Sequence, residues 1–136
     1  MSSKGRPYRT VSIAGWEVLV GRAAADNDTL TFRVAAPRDA WLHVAGGTPG
    51  SHVIVKNPGG IEVPREVLEQ AAQLAAWHSK ARAAKRVEVH VCRVADVSKP
   101  RGAPAGRVQI KNFKKLKVVP APLTTETGAD PDSDSD

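Results

Sequence analysis

The chain has little sulfur, few aromatics and no long apolar run. Its single Cys92 cannot form an internal disulfide, and one thiol cannot build a thiolate-rich metal cluster. Cys92 lies in a β-like run and reads as a small buried apolar residue. No apolar stretch approaches the roughly 18 residues that a membrane helix needs. The first seven residues, Met-Ser-Ser-Lys-Gly-Arg-Pro, are basic but lack the apolar segment of a secretory signal. These absences lead us to expect a cytoplasmic protein with no membrane span, no cofactor and no metal. Aromatic residues make up only 4% of the chain, too few for a sheet that stacks many bases. Catalytic signatures are missing too: there is no Gly-x-Ser-x-Gly and no phosphate-loop Gly-Lys-Ser/Thr. Ser51 beside His52 is not a nucleophile–base pair, because neighbours on a strand point to opposite faces.

What is present is one domain's worth of chain, 136 residues with 41% hydrophobic content. The net charge of +6 is unevenly placed. The tail from Thr124 carries Glu126, Asp130, Asp132, Asp134 and Asp136 and no base, which leaves the body with 20 basic against 9 acidic side chains. A body this basic favours a polyanionic partner, nucleic acid (RNA, with DNA not excluded) ahead of an anionic membrane. The tail is too polar to fold, and binding a basic partner as an adaptor or folding back on the body are both open to it.

The hydropathy pattern predicts an α+β domain over residues 8–122, with a basic arm over 1–7 and a disordered acidic tail over 123–136. We expect a mostly antiparallel sheet of about six strands, one long helix and one short one. Residues 8–13 and 16–20 read as a hairpin. Residues 23–34 read as a short helix, with Asp26, Asn27 and Asp28 as caps and Leu30 and Val34 four apart. Pro64 opens the long helix, whose stripe runs Val67, Ala71, Leu74, His78. Lys80, Arg82, Lys85 and Arg86 follow; the helix dipole and phosphate contact account for them equally well. Residues 87–94 form a strand, 95–106 a loop, and Val108, Ile110, Leu116 and Val118 mark two further strands.

Residues 39–56 form the centre of this reading. Taken as two strands, 41–45 and 52–56, they alternate, with Leu42, Val44, Val53 and Val55 on one side and Trp41, His43, His52 and Ile54 on the other. Gly46, Gly47, Pro49 and Gly50 lie between, and glycines let a ligand approach bare backbone N–H groups. Two readings fit Trp41: a stacking platform for a base, or core packing. Arg22, Lys80, Arg82, Lys99, Arg101 and Lys111 are candidate phosphate contacts. A competing hydrolase or nuclease reading places a divalent metal between Asp39, His43 and His52.

An ordered set of blocks adds to this. Gly15, Val20-Gly21-Arg22, Asn27-Asp28-x-Leu30-Thr31, Asp39-x-Trp41-Leu42-His43, Pro49-Gly50-Ser51-His52-Val53, Ala71-Ala72-x-Leu74-Ala75-Ala76, Ser79-Lys80-x-Arg82 and Val97-x-Lys99-Pro100-x-Gly102 through Gly106-x-Val108 together resemble the RNA-binding module of the NFACT family. The resemblance runs from about Tyr8 to Pro120. It implies a non-enzymatic RNA-binding protein that contacts tRNA, ribosomal RNA or ribosomal subunits in translation or ribosome-associated quality control. The residues it carries over are Arg22, Asn27, Asp28, Asp39, Trp41, His43, Ser51 and His52. The longer members also have an N-terminal domain, helix-hairpin-helix segments and a coiled coil, so their tRNA recruitment for tailing does not transfer directly.

Overall fold

The structure, a computed structural model, describes residues 7–122. The basic arm before residue 7 and the acidic tail after residue 122 lie outside the described residues.

An α+β fold results, with a six-stranded antiparallel sheet between two unequal layers. Strands β1 (Tyr8–Ile13) and β2 (Trp16–Gly21) form the expected hairpin. Helix α1 (Ala24–Thr29) follows and widens into a π-helical turn over Leu30–Val34. The carboxylate of Asp26 accepts a hydrogen bond from the Ala23 amide at the helix start, at 3.1 Å. Asn27 and Asp28 are not caps, because their side chains leave the helix for other elements. Strands β3 (Ala40–Val44) and β4 (Val53–Val55) make the central hairpin, and helix α2 (Arg65–Trp77) follows. Strand β5 (Val87–Arg93) comes next, and strand β8 (Lys114–Val118) closes the sheet in the order β1-β2-β4-β3-β5-β8. The chain between them holds strands β6 (Val97–Ser98) and β7 (Gln109–Ile110). These pair with each other, off the main sheet. The sequence anticipated the second of them but read 97–98 as loop.

Both faces of the sheet are covered, which explains why β4 is apolar throughout: Val53, Ile54 and Val55 are all 0% exposed. On one face Val18, Val20, Leu42, Val44, Val53, Val55 and Val89 meet Val67, Ala71, Leu74 and Ala75 of α2. On the other, Leu19, Trp41, Ile54 and Cys92 meet Leu30 of the π turn and Val97, Val108 and Ile110 of the small ribbon. Alternation along β3 and β4 is therefore as read, with a correction at Trp41. Its ring is only 2% exposed and belongs to the second core, so it offers no open face to a base. His78 departs from its expected place in the α2 stripe. It caps the helix end and sits at the surface edge, partly exposed. No helix among the described residues is long and apolar enough to cross a membrane.

Asp39 fixes where β3 begins. Its side chain is wholly buried yet fully engaged. It accepts from the Ala36 amide at 2.8 Å, the Asn57 amide at 2.7 Å and the Lys56 ammonium at 2.6 Å. Those bonds join the ends of β3 and β4, so the Asp of the Asp-x-Trp-Leu-His block is a structural anchor. Substitution Asp39→Ala leaves two buried amides and a partly buried ammonium without an acceptor. We expect it to lower stability by about 2–4 kcal/mol in urea denaturation. A loss below about 1 kcal/mol, the size of an exposed pair, would contradict that role.

Candidate nucleic-acid interface

His52 stands where four elements meet. Its Nδ1 lies 3.2 Å from the indole nitrogen of Trp41 and 2.9 Å from the hydroxyl of Thr31, and its Nε2 lies 3.3 Å from the carbonyl of Gly106. An indole N–H can only donate. Nδ1 must therefore be an acceptor, Thr31 donates to it as well, and the proton sits on Nε2 and is donated to Gly106. One neutral tautomer satisfies every partner. Burial is the main cause that pushes the His52 pKa down to about 3, the neighbouring His43 adding to it. The rings of Trp41, His43 and His52 pack together, with His52 edge-on to both at 5.1 Å between centroids.

The segment from Pro49 to His52 is pinned on both sides. Asn27 donates to the Gly50 carbonyl at 3.0 Å and accepts from the His52 amide at 3.0 Å. The Ser51 hydroxyl donates to the Gly21 carbonyl at 2.6 Å. On the far side the Ser51 amide donates to the His78 carbonyl and the Lys80 amide to the Pro49 carbonyl, a small β-bridge. A side chain at position 50 would put its Cβ 2.6 Å from Cβ of Ser79, so glycine is what allows this approach. The loop that supplies Gly106 is held in the same way. Asp28 accepts from the Gly106 amide and pairs with Lys99, whose ammonium also reaches the Pro104 and Arg107 carbonyls.

These ties enclose an open groove of about 940 Å³. Its walls are the β2–α1 junction, the turn from Gly46 to Ser51, the segment after α2 and the loop from Pro104 to Val108. Arg9, Arg22, Lys80, Arg82 and Arg107 line it with all four histidines, and among the described residues no aspartate or glutamate does. Gly46 and Gly47 follow each other with φ of 77° and 74°, a backbone that L-residues rarely adopt. Among the described residues no hydrogen bond engages the amides of Gly46, Gly47 or Thr48, so they are free to serve a bound anion. Burial lowers the pKa of His43 and takes that of His78 to about 4. His43, His52 and His78 are therefore neutral at physiological pH, and the positive charge of the groove is carried by its arginines and lysine.

Of the residues singled out from sequence, Arg22, Asn27, Trp41, His43, Ser51, His52, Lys80 and Arg82 border the groove. Asn27, Trp41, Ser51 and His52 do so as buried struts, while Lys80 and Arg22 are exposed on its rim. Arg82 lies over the Trp77 ring at 4.5 Å and donates to the Trp77 carbonyl, which orients its guanidinium. Asp28, Asp39, Lys99, Arg101 and Lys111 are not among the lining residues. Asp28 and Lys99 instead form the clamp beneath the Gly106 loop. The metal-site reading fails on geometry. Asp39 spends its carboxylate on Ala36, Lys56 and Asn57, and His52 uses both ring nitrogens within the protein. No group of three or more His, Cys, Asp or Glu among the described residues is placed to hold a metal ion. Arg9, Arg107 and His90 were not anticipated as site residues. Arg9 lies on a strand and Arg107 in a loop, and only the fold brings them to one groove.

Fold and groove define a class first: an α+β domain with a cationic groove that, among the described residues, no carboxylate lines. The chain belongs to the NFACT protein RNA binding domain family, whose model matches residues 6–112. It is 38% identical over 116 residues to the Rqc2 homolog RqcH of Streptococcus suis (strain 05ZYH33), covering 85% of this chain and 20% of that protein. It is 35% identical over 122 residues to the Rqc2 homolog RqcH of Bacillus subtilis (strain 168), covering 86% of this chain and 21% of that protein. The chain thus spans about a fifth of the length of these curated relatives. Among solved structures it resembles the C-terminal part of the fibronectin/fibrinogen-binding protein from Streptococcus suis. That match has a TM-score of 0.77 at 34% identity and covers 87% of this chain and 47% of that one.

The neutral histidines give stability a defined pH dependence. The unfolded chain takes up these protons near pH 6.5, whereas folded His52 and His78 resist until about 3 and about 4. Their contribution is therefore complete above pH 6.5 and declines as pH falls below it. His52 alone is expected to remove about 1.4 kcal/mol per pH unit below that point. Urea midpoints measured from pH 7.5 to pH 5 should fall steadily below about pH 6.5. A midpoint independent of pH across that window would contradict a neutral, proton-excluding His52.

Proposed function

We propose that the chain is a non-catalytic RNA-binding module that grips the phosphate backbone of a structured RNA, tRNA or ribosomal RNA, in the service of ribosome-associated quality control. One observation carries the reading. Among the described residues, the groove gathers five cationic side chains and backbone amides with no hydrogen-bond partner, and no carboxylate lines it to repel a phosphate. The names of the relatives, Rqc2 homologs and a ribosome quality control complex subunit NEMF homolog from Drosophila melanogaster, support the cellular setting.

The chemistry also favours binding over turnover. Ser51 donates its hydroxyl to a backbone carbonyl, and no base lies within hydrogen-bonding reach to activate it. His52 has no free nitrogen with which to accept a substrate proton. The groove is too small to enclose a duplex. It suits a few consecutive phosphates, with the surrounding surface meeting the rest of a folded RNA by shape.

Filter binding of a tRNA at several salt concentrations tests this. Affinity should fall steeply between about 50 and 200 mM salt, as it does when several phosphates are neutralised. The double substitution Lys80→Ala with Arg107→Ala removes two exposed cations from opposite walls. It should weaken binding at least about tenfold and lower the log–log salt slope by roughly 1.5 to 2, with folding intact. Arg101→Ala, outside the groove, should change both much less. Absence of binding at low salt would overturn the proposal. Equal binding of a DNA hairpin of matched sequence would reduce it to general polyanion binding.

A further inference from the structure

The groove face of the sheet continues past its floor. His43 of β3 stands directly across from His90 of β5, and His90 directly across from Lys115 of β8. The ring of His43 packs on that of His52 at the inner end of this row, and His90 lines the groove. The row therefore leads from the neutral hub across three strands to the open edge of the sheet. There Phe113 lies against His90, with centroids 4.4 Å apart and planes tilted by 38°.

Phe113 is an exposed aromatic, 38% accessible, and its position is built. The turn before β8 passes through Asn112 at φ +53°, a conformation asparagine tolerates better than most residues. The Asn112 side chain donates to Asp96 at 3.2 Å, and the Lys111 amide donates to the Asp96 carbonyl at 3.1 Å. Two residues on, Lys115 shares its face, and Lys117 follows, because strand side chains alternate. Both lysines are exposed. Two carboxylates lie nearby: Asp96, buried and bonded to Asn112, and Glu88, bonded to His90 at 3.0 Å and opposite Lys117 in the strand register. A held aromatic ring, flanked by lysines and continuous with a phosphate-binding groove, is the arrangement that accepts an unpaired base with its phosphates.

We infer that Phe113, backed by His90, is a stacking subsite for one unpaired nucleotide of the RNA strand that runs out of the groove, with Lys115 and Lys117 holding its phosphates. The inference rests on the RNA reading of the groove and adds the position at which the strand is unpaired. It also moves the stacking role from Trp41, which is buried, to an aromatic at the sheet edge.

Two fluorescent RNA hairpins provide the test, one blunt and one with a single-stranded extension, titrated by anisotropy. Phe113→Ala should weaken binding of the extended hairpin about 5- to 150-fold, the equivalent of the 1–3 kcal/mol of one stacked base. It should leave the blunt hairpin and the salt slope unchanged. Phe113→Tyr should restore the affinity, and in Phe113→Trp the added indole emission should be quenched by the extended hairpin alone. Lys115→Ala with Lys117→Ala should lower the salt slope instead. If Phe113→Ala binds both hairpins as the unaltered protein does, the subsite is overturned. The groove reading then stands or falls separately, on whether Lys80→Ala with Arg107→Ala still loses binding. If the unaltered protein binds neither hairpin, the RNA reading itself fails.

Discussion

A neutral imidazole that must stay neutral is the constraint on which this molecule depends. His52 accepts a hydrogen bond from an indole N–H that can only donate, and donates its own N–H to a carbonyl. Protonating Nδ1 would set two donors against each other inside a core. That arrangement joins the central hairpin, the π turn and the Gly106 loop at one point, so both walls of the groove are placed by a single tautomer. The loop and the turn otherwise share no sheet; besides the His52 contact, the loop is held by the Asp28–Lys99 clamp, the β6–β7 pairing and the packing of Val108 and Ile110.

The groove illustrates a division of labour among polar residues. Asn27, Ser51 and His52 are buried, and each spends its hydrogen bonds on backbone groups or on other buried side chains. They set the shape of the groove and leave its chemistry to others. Of the groove's cations, Arg22, Lys80, Arg82 and Arg107 are exposed. This is the expected order of costs: an unpaired buried polar group is expensive, whereas a solvated arginine or lysine is free to exchange water for phosphate. The motif blocks therefore hold both the buried struts and three of the groove's cations, Arg22, Lys80 and Arg82, while Arg9 and Arg107 come from outside their fixed positions.

The sheet was largely legible in the sequence because period-two alternation in 41–45 and 87–94 is clear, and the Ala14-Gly15 turn marks the hairpin of 8–13, which alternates weakly, and 16–20. The two-sided burial of β4 was harder to see. Its Val-Ile-Val run is compatible with either a half-exposed or a fully buried strand, and only the layer formed by Leu30 and the β6–β7 ribbon decides it. The same missing layer explains Trp41. Alternation placed it with the histidines, and it is there, but the face is covered at its position and open only beyond His43. Asp26, Asn27 and Asp28 looked alike as capping residues. Their separate fates follow from where α1 docks, a long-range fact with no local signature. His78 shows the limit of helical periodicity, since the stripe passes through it one residue after the helix has ended. Phe113 gave no signal at all, because a lone aromatic among lysines has no period to read.

The claim at the centre is that a fixed, neutral His52 presents a preformed groove to RNA. Histidine ring nitrogen correlations and backbone amide shifts, followed by NMR as a tRNA is added near pH 7, test it most directly. The account predicts that His52 shows the Nε2–H tautomer before and after addition. It also predicts that amide shifts concentrate at Gly46 to Ser51, Ser79 to Arg82 and Pro104 to Val108. A His52 that is protonated or changes tautomer on binding, or shifts centred on the outer face of α2 instead, would contradict it.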